Sequence, residues 1–378
     1  LSDMPAKIEK SGLFGAWIPI LLPAVFLTSL GLLILVSAGA GGDDPYAIFR
    51  KQAMWLFIAL AAGFFAAFVD LKFLKKIAVP FAAVSMVLLV LAVYSPLAKE
   101  VNGSHRWIDL KVFAIQPSDI AKFAFVIWLS AYLYDNQRRM KSFVHGLVKP
   151  LCIVGAFCAL IIIEPDYGTT AVFGAIGFIL IFLAGARILY IAAMGLPVLA
   201  VFCTAVYFNP VRLQRVLSFL DVEGTKTEGS YQLYQAILAF GSGKITGVGI
   251  GQGRQQLAFL PEAHTDFVFA IVGEELGLVF TWLVVAMFLF LFIVGILNLR
   301  KAPNLYEFSV ATGALLMIVV QAVSNMCVVT GLMPTKGISL PFISYGGSNL
   351  VAMFAFTGLL INCVRNWSKP AQIRASEL

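Results

Sequence analysis

The stretch PEAHTDF, Pro261 to Phe267, sets Glu262, His264 and Asp266 on alternate positions directly before a long apolar run. Two carboxylates and an imidazole at that spacing are groups that accept or relay a proton. Asp266, at the mouth of an apolar helix, has two readings. It can cap the helix by accepting bonds from orphan N–H groups at the positive end of the helix dipole. It can also take a proton from an attacking hydroxyl. The cap is the plainer reading of Asp266 taken alone, and Glu262 and His264 add weight to the second, because a bare cap does not need them.

Other polar groups interrupt the apolar chain. Glu274 and Glu275 lie inside the run that follows Asp266, about 12 to 14 Å along a straight helix. Acids in a membrane span are costly and face the bundle interior or a water-filled path. They read either as a proton or substrate path or as a structural bond to another span, with Lys122 as partner. Glu164 and Asp166 flank Pro165. As paired oxygen donors they would suit a divalent cation such as Mg or Mn. The plainer expectation is a turn, with Asp166 capping the next helix. No metal is assigned. Arg106 can grip a phosphate through its forked donors, and Lys336 can neutralise one as a point charge. Ser344, in SYGGSN, offers a hydroxyl beside open backbone N–H groups, and His105 reads as an exposed loop histidine.

The elements that position these groups must cross a membrane. The chain of 378 residues is 60% hydrophobic and only 12% charged. A soluble domain has about a quarter of its residues charged. Apolar runs of membrane-spanning length predict an all-α polytopic integral membrane protein with about ten transmembrane helices. The expected spans are about 16–38, 53–69, 77–96, 118–134, 150–164, 168–184, 188–207, 267–298, 306–330 and 348–365. The first follows Lys7 and Lys10 and is longer than a signal-peptide core, so it reads as a retained span.

Lys72, Lys75, Lys76, Arg138, Arg139, Lys141 and Lys149 fall in loops that alternate with poorer ones, so both termini are expected in the cytoplasm. Arg106, Lys336, Glu164, PEAHTDF and a long loop over 208–266 between the seventh and eighth spans then lie on the outer face. The net charge of +7 is scattered between spans, with no basic stripe, so nucleic acid is not an expected partner. The five cysteines lie in apolar runs with no CxxC pair, which excludes a disulfide framework or thiolate metal site. Gly247, Gly249, Gly251 and Gly253 lack the strand–helix context of a dinucleotide fingerprint and read as flexible backbone near a bound headgroup.

In order along the chain, NGSHRWI, QPSD, EPDYGTT, GSGKITGVGIGQG, LPEAHTDFVFAIVGEELG and GLMPTKGISLPFISYGGSN resemble the blocks of the SEDS (shape, elongation, division and sporulation) family. The resemblance covers essentially the whole chain, as one SEDS-type membrane domain over 1–378. It is nearest to the division branch, since Ala263 stands where the elongation branch usually has a basic residue. A sporulation paralogue is the other alternative. Asp119 stands where a Glu is usual, Ala236 follows the matching Gln235 where a Ser is frequent, and Asn349 replaces a frequent Ser.

The resemblance implies ten transmembrane helices with a large outer loop, and polymerisation of peptidoglycan glycan strands from lipid II with release of undecaprenyl diphosphate. It places the family's essential aspartate on Asp266. It implies action in the bacterial cytoplasmic membrane with a class B penicillin-binding protein, a transpeptidase, and other division proteins. The expected roles follow: Asp266 as base, Arg106 and Lys336 as diphosphate clamps, Glu262 and His264 orienting the base or acceptor, and Gln235 and Ser344 lining the substrate. A divalent cation is the expected alternative for stabilising the leaving diphosphate. Two other functions compete, a lipid II transporter using Glu274 and Glu275, and a non-catalytic division scaffold.

Overall fold

In hydrocarbon each backbone N–H and C=O must be satisfied within its own segment, so apolar runs of this length become helices. The computed structural model describes residues 15–39, 44, 46–96, 98–101, 104–109, 114–225, 230–255 and 260–368. The terminal charges Lys7, Lys10, Lys369 and Arg374, the Lys111 charge and the His105 side chain lie outside the described set.

The helices are α1 (Ile18–Gly39), α2 (Ala47–Phe68), α3 (Leu71–Lys76), α4 (Ala78–Tyr94), α5 (Pro117–Asp135), α6 (Lys149–Ile163) and α7 (Tyr167–Leu183). They continue with α8 (Ile188–Tyr207), α9 (Pro210–Leu220), α10 (Tyr231–Gly243), α11 (Val268–Leu299), α12 (Leu305–Val329) and α13 (Gly347–Trp367). Each expected span coincides with a helix. Among the described residues six are long and apolar enough to cross a membrane: α1, α2, α6 with the π-turn that starts it at Val144, α11, α12 and α13. The helices α4 and α7 are shorter, α5 carries Asp119 and Lys122 near its start, and α8 contains Pro197. The chain is a multi-pass integral membrane protein.

Side chains of Phe125, Phe157 and Phe173 join α5, α6 and α7, with ring centroids 4.8 to 5.8 Å apart. On the other side of the bundle α2 meets α13 at Gly63 and Gly358, where a Cβ on Gly358 would lie 2.0 Å from the Gly63 carbonyl. Small residues let membrane helices approach to backbone contact, which supplies the packing that hydrophobicity alone does not provide in lipid.

Between α4 and α5 lies a small antiparallel sheet of β1 (Ala98–Val101), β2 (Ser104–Asp109) and β3 (Ala114–Ile115), in the order β1-β2-β3. Strand side chains alternate faces. Ile108 is buried, so Arg106, two residues earlier on the same face, is turned toward the bundle.

The long segment before α11 carries α9 and α10, and α10 packs along the first part of α11, with Phe240 edge-on to Phe269. Helix α11 is broken at Gly277, where φ is 74° and ψ is −171°. The glycine run, expected to be flexible backbone near a headgroup, is instead docked into this break. The N–H groups of Leu278 and Val279 donate to the carbonyls of Lys244 and Ile245. The carbonyls of Glu274 and Glu275 accept from the N–H groups of Val248 and Gly249. The loop thereby satisfies groups that the break would otherwise orphan. A side chain at Gly277 would put a Cβ 2.3 Å from the Gly247 nitrogen.

Candidate active site

Asp266 ends a tight turn that leads into α11. Glu262 holds a left-handed backbone with φ of 56°. Its carbonyl accepts from the N–H groups of Thr265 and Phe267, and its carboxylate accepts from the Thr265 hydroxyl at 2.8 Å. The N-cap of α11 is Phe267, with no side-chain cap bond. Asp266 therefore does not cap the helix, and its carboxylate makes no hydrogen bond among the described residues. It is half-buried. Burial, then the carboxylates of Glu262 and Asp166, raise its pKa to about 7, against the pull of Arg106. A carboxyl poised near neutrality suits a general base.

Two cations stand around it. Arg106 donates from Nε to the Glu164 carbonyl (3.0 Å) and from Nη2 to the Pro165 carbonyl (2.8 Å). Its Nη1 lies 4.0 Å from the Asp166 carboxylate. Lys336 is half-buried in the segment between α12 and α13. Burial lowers its pKa, and Asp166 opposes that shift. Lys336 precedes Gly337, whose Cβ position would lie 3.1 Å from Asp266 Oδ2.

Glu164 and Asp166 do not converge as a cation site. Asp166 caps α7, accepting from the Thr169 N–H (3.0 Å) and hydroxyl (2.8 Å). The Glu164 carboxyl is buried, and neither oxygen has a hydrogen bond among the described residues. Burial, then Asp166 and Asp119, push its pKa up to about 8 despite Arg106, so it holds its proton at neutral pH. Among the described residues no three His, Cys, Asp or Glu side chains form a metal-ligand set. Asp166 thus takes the plainer of the two expected readings, a cap at the turn, and Glu164 is a buried acid.

Lys122 does not pair with Glu274 or Glu275. It binds Asp119 Oδ1 at 2.8 Å and Gln321 Oε1 at 3.0 Å. Asp119 also accepts from Ser348, and Gln321 donates to Asn349 Oδ1 and the Ser339 carbonyl. This buried network ties α5, α12 and α13 together. Asp119 and Asn349, both departures from the family pattern, are members of it.

The carboxylate of Glu274 accepts from the backbone N–H groups of Arg254 and Gln255, at 2.9 and 3.2 Å. That of Glu275 accepts from Ser37 Oγ at 2.6 Å and the Gly251 N–H at 3.2 Å. Both acids hold the glycine loop. Ser344 Oγ donates to the Thr265 carbonyl (2.6 Å) and accepts from the Leu340 N–H (2.7 Å), so its hydroxyl braces the Asp266 turn. The His264 ring lies 5.7 Å from the Tyr345 ring, and burial lowers its pKa although Glu262 opposes this. Gln235 is half-buried on α10, and no hydrogen bond among the described residues joins it to the carboxylates.

Three buried amides were passed over in the sequence. Gln52 donates to the Ser344 carbonyl and accepts from the Gly346 N–H. Gln321 and Asn325, four residues apart on one face of α12, hold the segment that carries Lys336. Their signal was present, as polar groups inside apolar runs.

The family model described as cell cycle protein, of FtsW, RodA and SpoVE, matches residues 13–369. A Coxiella burnetii protein named "Probable peptidoglycan glycosyltransferase FtsW" is 36% identical over 95% of this chain and 98% of its own length. The Bacillus subtilis "Stage V sporulation protein E" is 36% identical over 90% of this chain and 94% of its own. Among solved structures, a chain described under "Structural coordination of polymerization and crosslinking by a peptidoglycan synthase complex" superposes with a TM-score of 0.76 at 25% identity. That superposition covers 93% of this chain and 98% of the other.

Proposed function

The chain belongs to the FtsW, RodA and SpoVE family of cell cycle proteins, and on that premise we propose that it is a division peptidoglycan glycosyltransferase with Asp266 as its base. The observation that carries the assignment is the Asp266 carboxylate itself. It is held at a helix mouth without a cap bond, and its pKa is lifted to about 7.

In the reaction a sugar hydroxyl of one glycan attacks C1 of a sugar linked to undecaprenyl diphosphate. Asp266 takes the hydroxyl proton, the new C1–O bond forms and the bond from C1 to the diphosphate oxygen breaks. Undecaprenyl diphosphate leaves with the electron pair. A diphosphate is a good leaving group, so positive charge can replace an acid. Arg106 and Lys336 supply that charge. Residues 1–378 act as one membrane domain, with this site at the outer face of the bacterial cytoplasmic membrane and both termini inside. The likeness to a chain of a peptidoglycan synthase complex supports a cross-linking partner, which we assign as a class B penicillin-binding protein.

Asp266→Asn tests the assignment. Purified with its transpeptidase partner and given lipid II, the variant is expected to lose roughly 10²- to 10⁴-fold in glycan formation while inserting and pairing normally. Glycan formation at the unaltered rate removes Asp266 from the mechanism. Headgroup translocation into sealed vesicles that survives in Asp266→Asn but fails in Glu274→Gln or Glu275→Gln would support the transporter reading instead.

A further inference from the structure

We propose that Asn325 is a positioning residue, whose side-chain amide sets the spacing between the Asp266 base and the Lys336 cation. The inference rests on the reading of Asp266 as base. Asn325 lies on α12, 1% exposed. Its Nδ2 donates to two carbonyls at once, that of Asp266 at 2.7 Å and that of Ile338 at 2.6 Å. Carbonyls only accept, so both contacts require the NH2 edge and fix the orientation of the amide. Its Oδ1 has no hydrogen bond among the described residues. A buried acceptor left unmatched costs stability, so the donor side must be what the position requires.

The amide clasps two strands of backbone, which Ser344 Oγ also bridges further along, from the Thr265 carbonyl to the Leu340 N–H. One carries Asp266. The other carries Lys336, Gly337 and Ile338. Gly337 adds to the arrangement, because a Cβ there would lie 3.1 Å from Asp266 Oδ2. Ser344 holds the neighbouring Thr265 carbonyl but not that of Asp266. The reaction needs the acceptor hydroxyl at the base and the diphosphate at the cations simultaneously, and displacement by about 1 Å can cost on the order of 10²-fold in rate. Asn325 is the side chain that ties the Asp266 carbonyl itself to the segment carrying Lys336.

The charged groups facing Asp266 are Glu262 in its own turn, Asp166 at the start of α7 and Arg106 on β2. Lys336 faces Asp166 from the α12–α13 segment. A displaced carboxylate exchanges this environment for water, which gives the test a readout that general loosening does not move.

The full chain with its transpeptidase partner is assayed on lipid II as Asn325→Leu, Asn325→Asp and Gly337→Ala, with thermal unfolding measured for each. All three are expected to lower kcat by roughly ten- to a hundred-fold with KM within about two-fold. In Asn325→Leu the acid limb of the pH–rate profile moves to lower pH. In Asn325→Asp, whose buried acid keeps its proton and can donate to only one of the two carbonyls, it moves the same way by less. Wild-type kcat and acid limb in Asn325→Leu, or lost stability alone with an unmoved limb, overturn the proposal. If Asn325→Leu does not fold, Asn325→Asp, which keeps the side-chain size, decides by the same criteria. Asp266→Asn is run alongside. Activity in that variant defeats the base reading itself, whereas an inactive Asp266→Asn beside a normal Asn325→Leu defeats only the role given to Asn325.

Discussion

Asp266 owes its character to what it lacks. A capping bond would have held the carboxylate ionised at low pH, but Phe267 takes the cap position and leaves the acid to burial and to Glu262 and Asp166. The base form exists above its pKa, so kcat/KM for glycan formation is expected to rise with pH through about 7. It should fall again below the ordinary Lys value of 10.5, as Lys336 loses its charge. A profile that stays flat through pH 7 would count against Asp266 as the base. Glu164 gives a stability prediction with the opposite use of the same physics. Its carboxyl titrates at about 8 when folded and near 4.5 otherwise. Between those values the folded chain holds a proton that the unfolded chain has released, so stability falls as pH rises through the window. Glu164→Gln should flatten the change of melting temperature between pH 5 and 8 and raise it at pH 8. An unchanged pH dependence would show that Glu164 does not carry the buried proton. The alternation in PEAHTDF drew attention to Asp266, but the expected topology and the resemblance to the SEDS blocks were needed to pick it out as the base. That neither cap nor partner claims the carboxylate was not legible, because the cap falls one residue later, at Phe267, and the groups around the acid other than Glu262 come from distant segments.

At the scale of elements, the break in α11 governs the region below the site. Gly277 sits in a conformation that L-residues adopt only at a cost of roughly 1–3 kcal/mol, and its Cβ would also collide with Gly247. Gly277→Ala is therefore expected to lower stability by at least that amount and to free the glycine loop, seen as faster proteolysis near Gly247. A melting temperature equal to wild type would mean that the break is not maintained in solution. Glu275→Leu should cost roughly 1–3 kcal/mol, because it strips an acceptor from buried donors, while kcat per folded molecule stays near wild type. Loss of turnover at full stability would instead mark Glu275 as part of a path. The apolar runs announced the helices correctly, since length and hydropathy are local. The break was not announced: a glycine inside an apolar run looks ordinary until the loop that fills the gap is known. The small sheet had a signal that went unread. Val101 pairs with Ser104 across Asn102-Gly103, the two-residue sequence favoured in tight hairpins.

For the whole molecule, orientation decides whether the site can meet a lipid-linked sugar at all. The cations near Asp266 run against the tendency of Lys and Arg to stay inside, and each is engaged by acidic or carbonyl groups of the site, not left to headgroups. By contrast Arg138 and Arg139, between α5 and α6, are exposed and lie in a short connection, as orientation signals do. If that difference reflects topology, the α5–α6 connection and the α12–α13 segment face opposite compartments. In a background with the five native cysteines replaced, Gln137→Cys should react with a membrane-impermeant maleimide only after the inner face is opened. Leu332→Cys, 70% exposed beside the Lys336 segment, should react in intact cells. Labelling of both residues from one side would break the alternation of helices on which the outer placement of Asp266 depends. The reverse pattern would put the base on the side where the proposed polymerisation cannot occur.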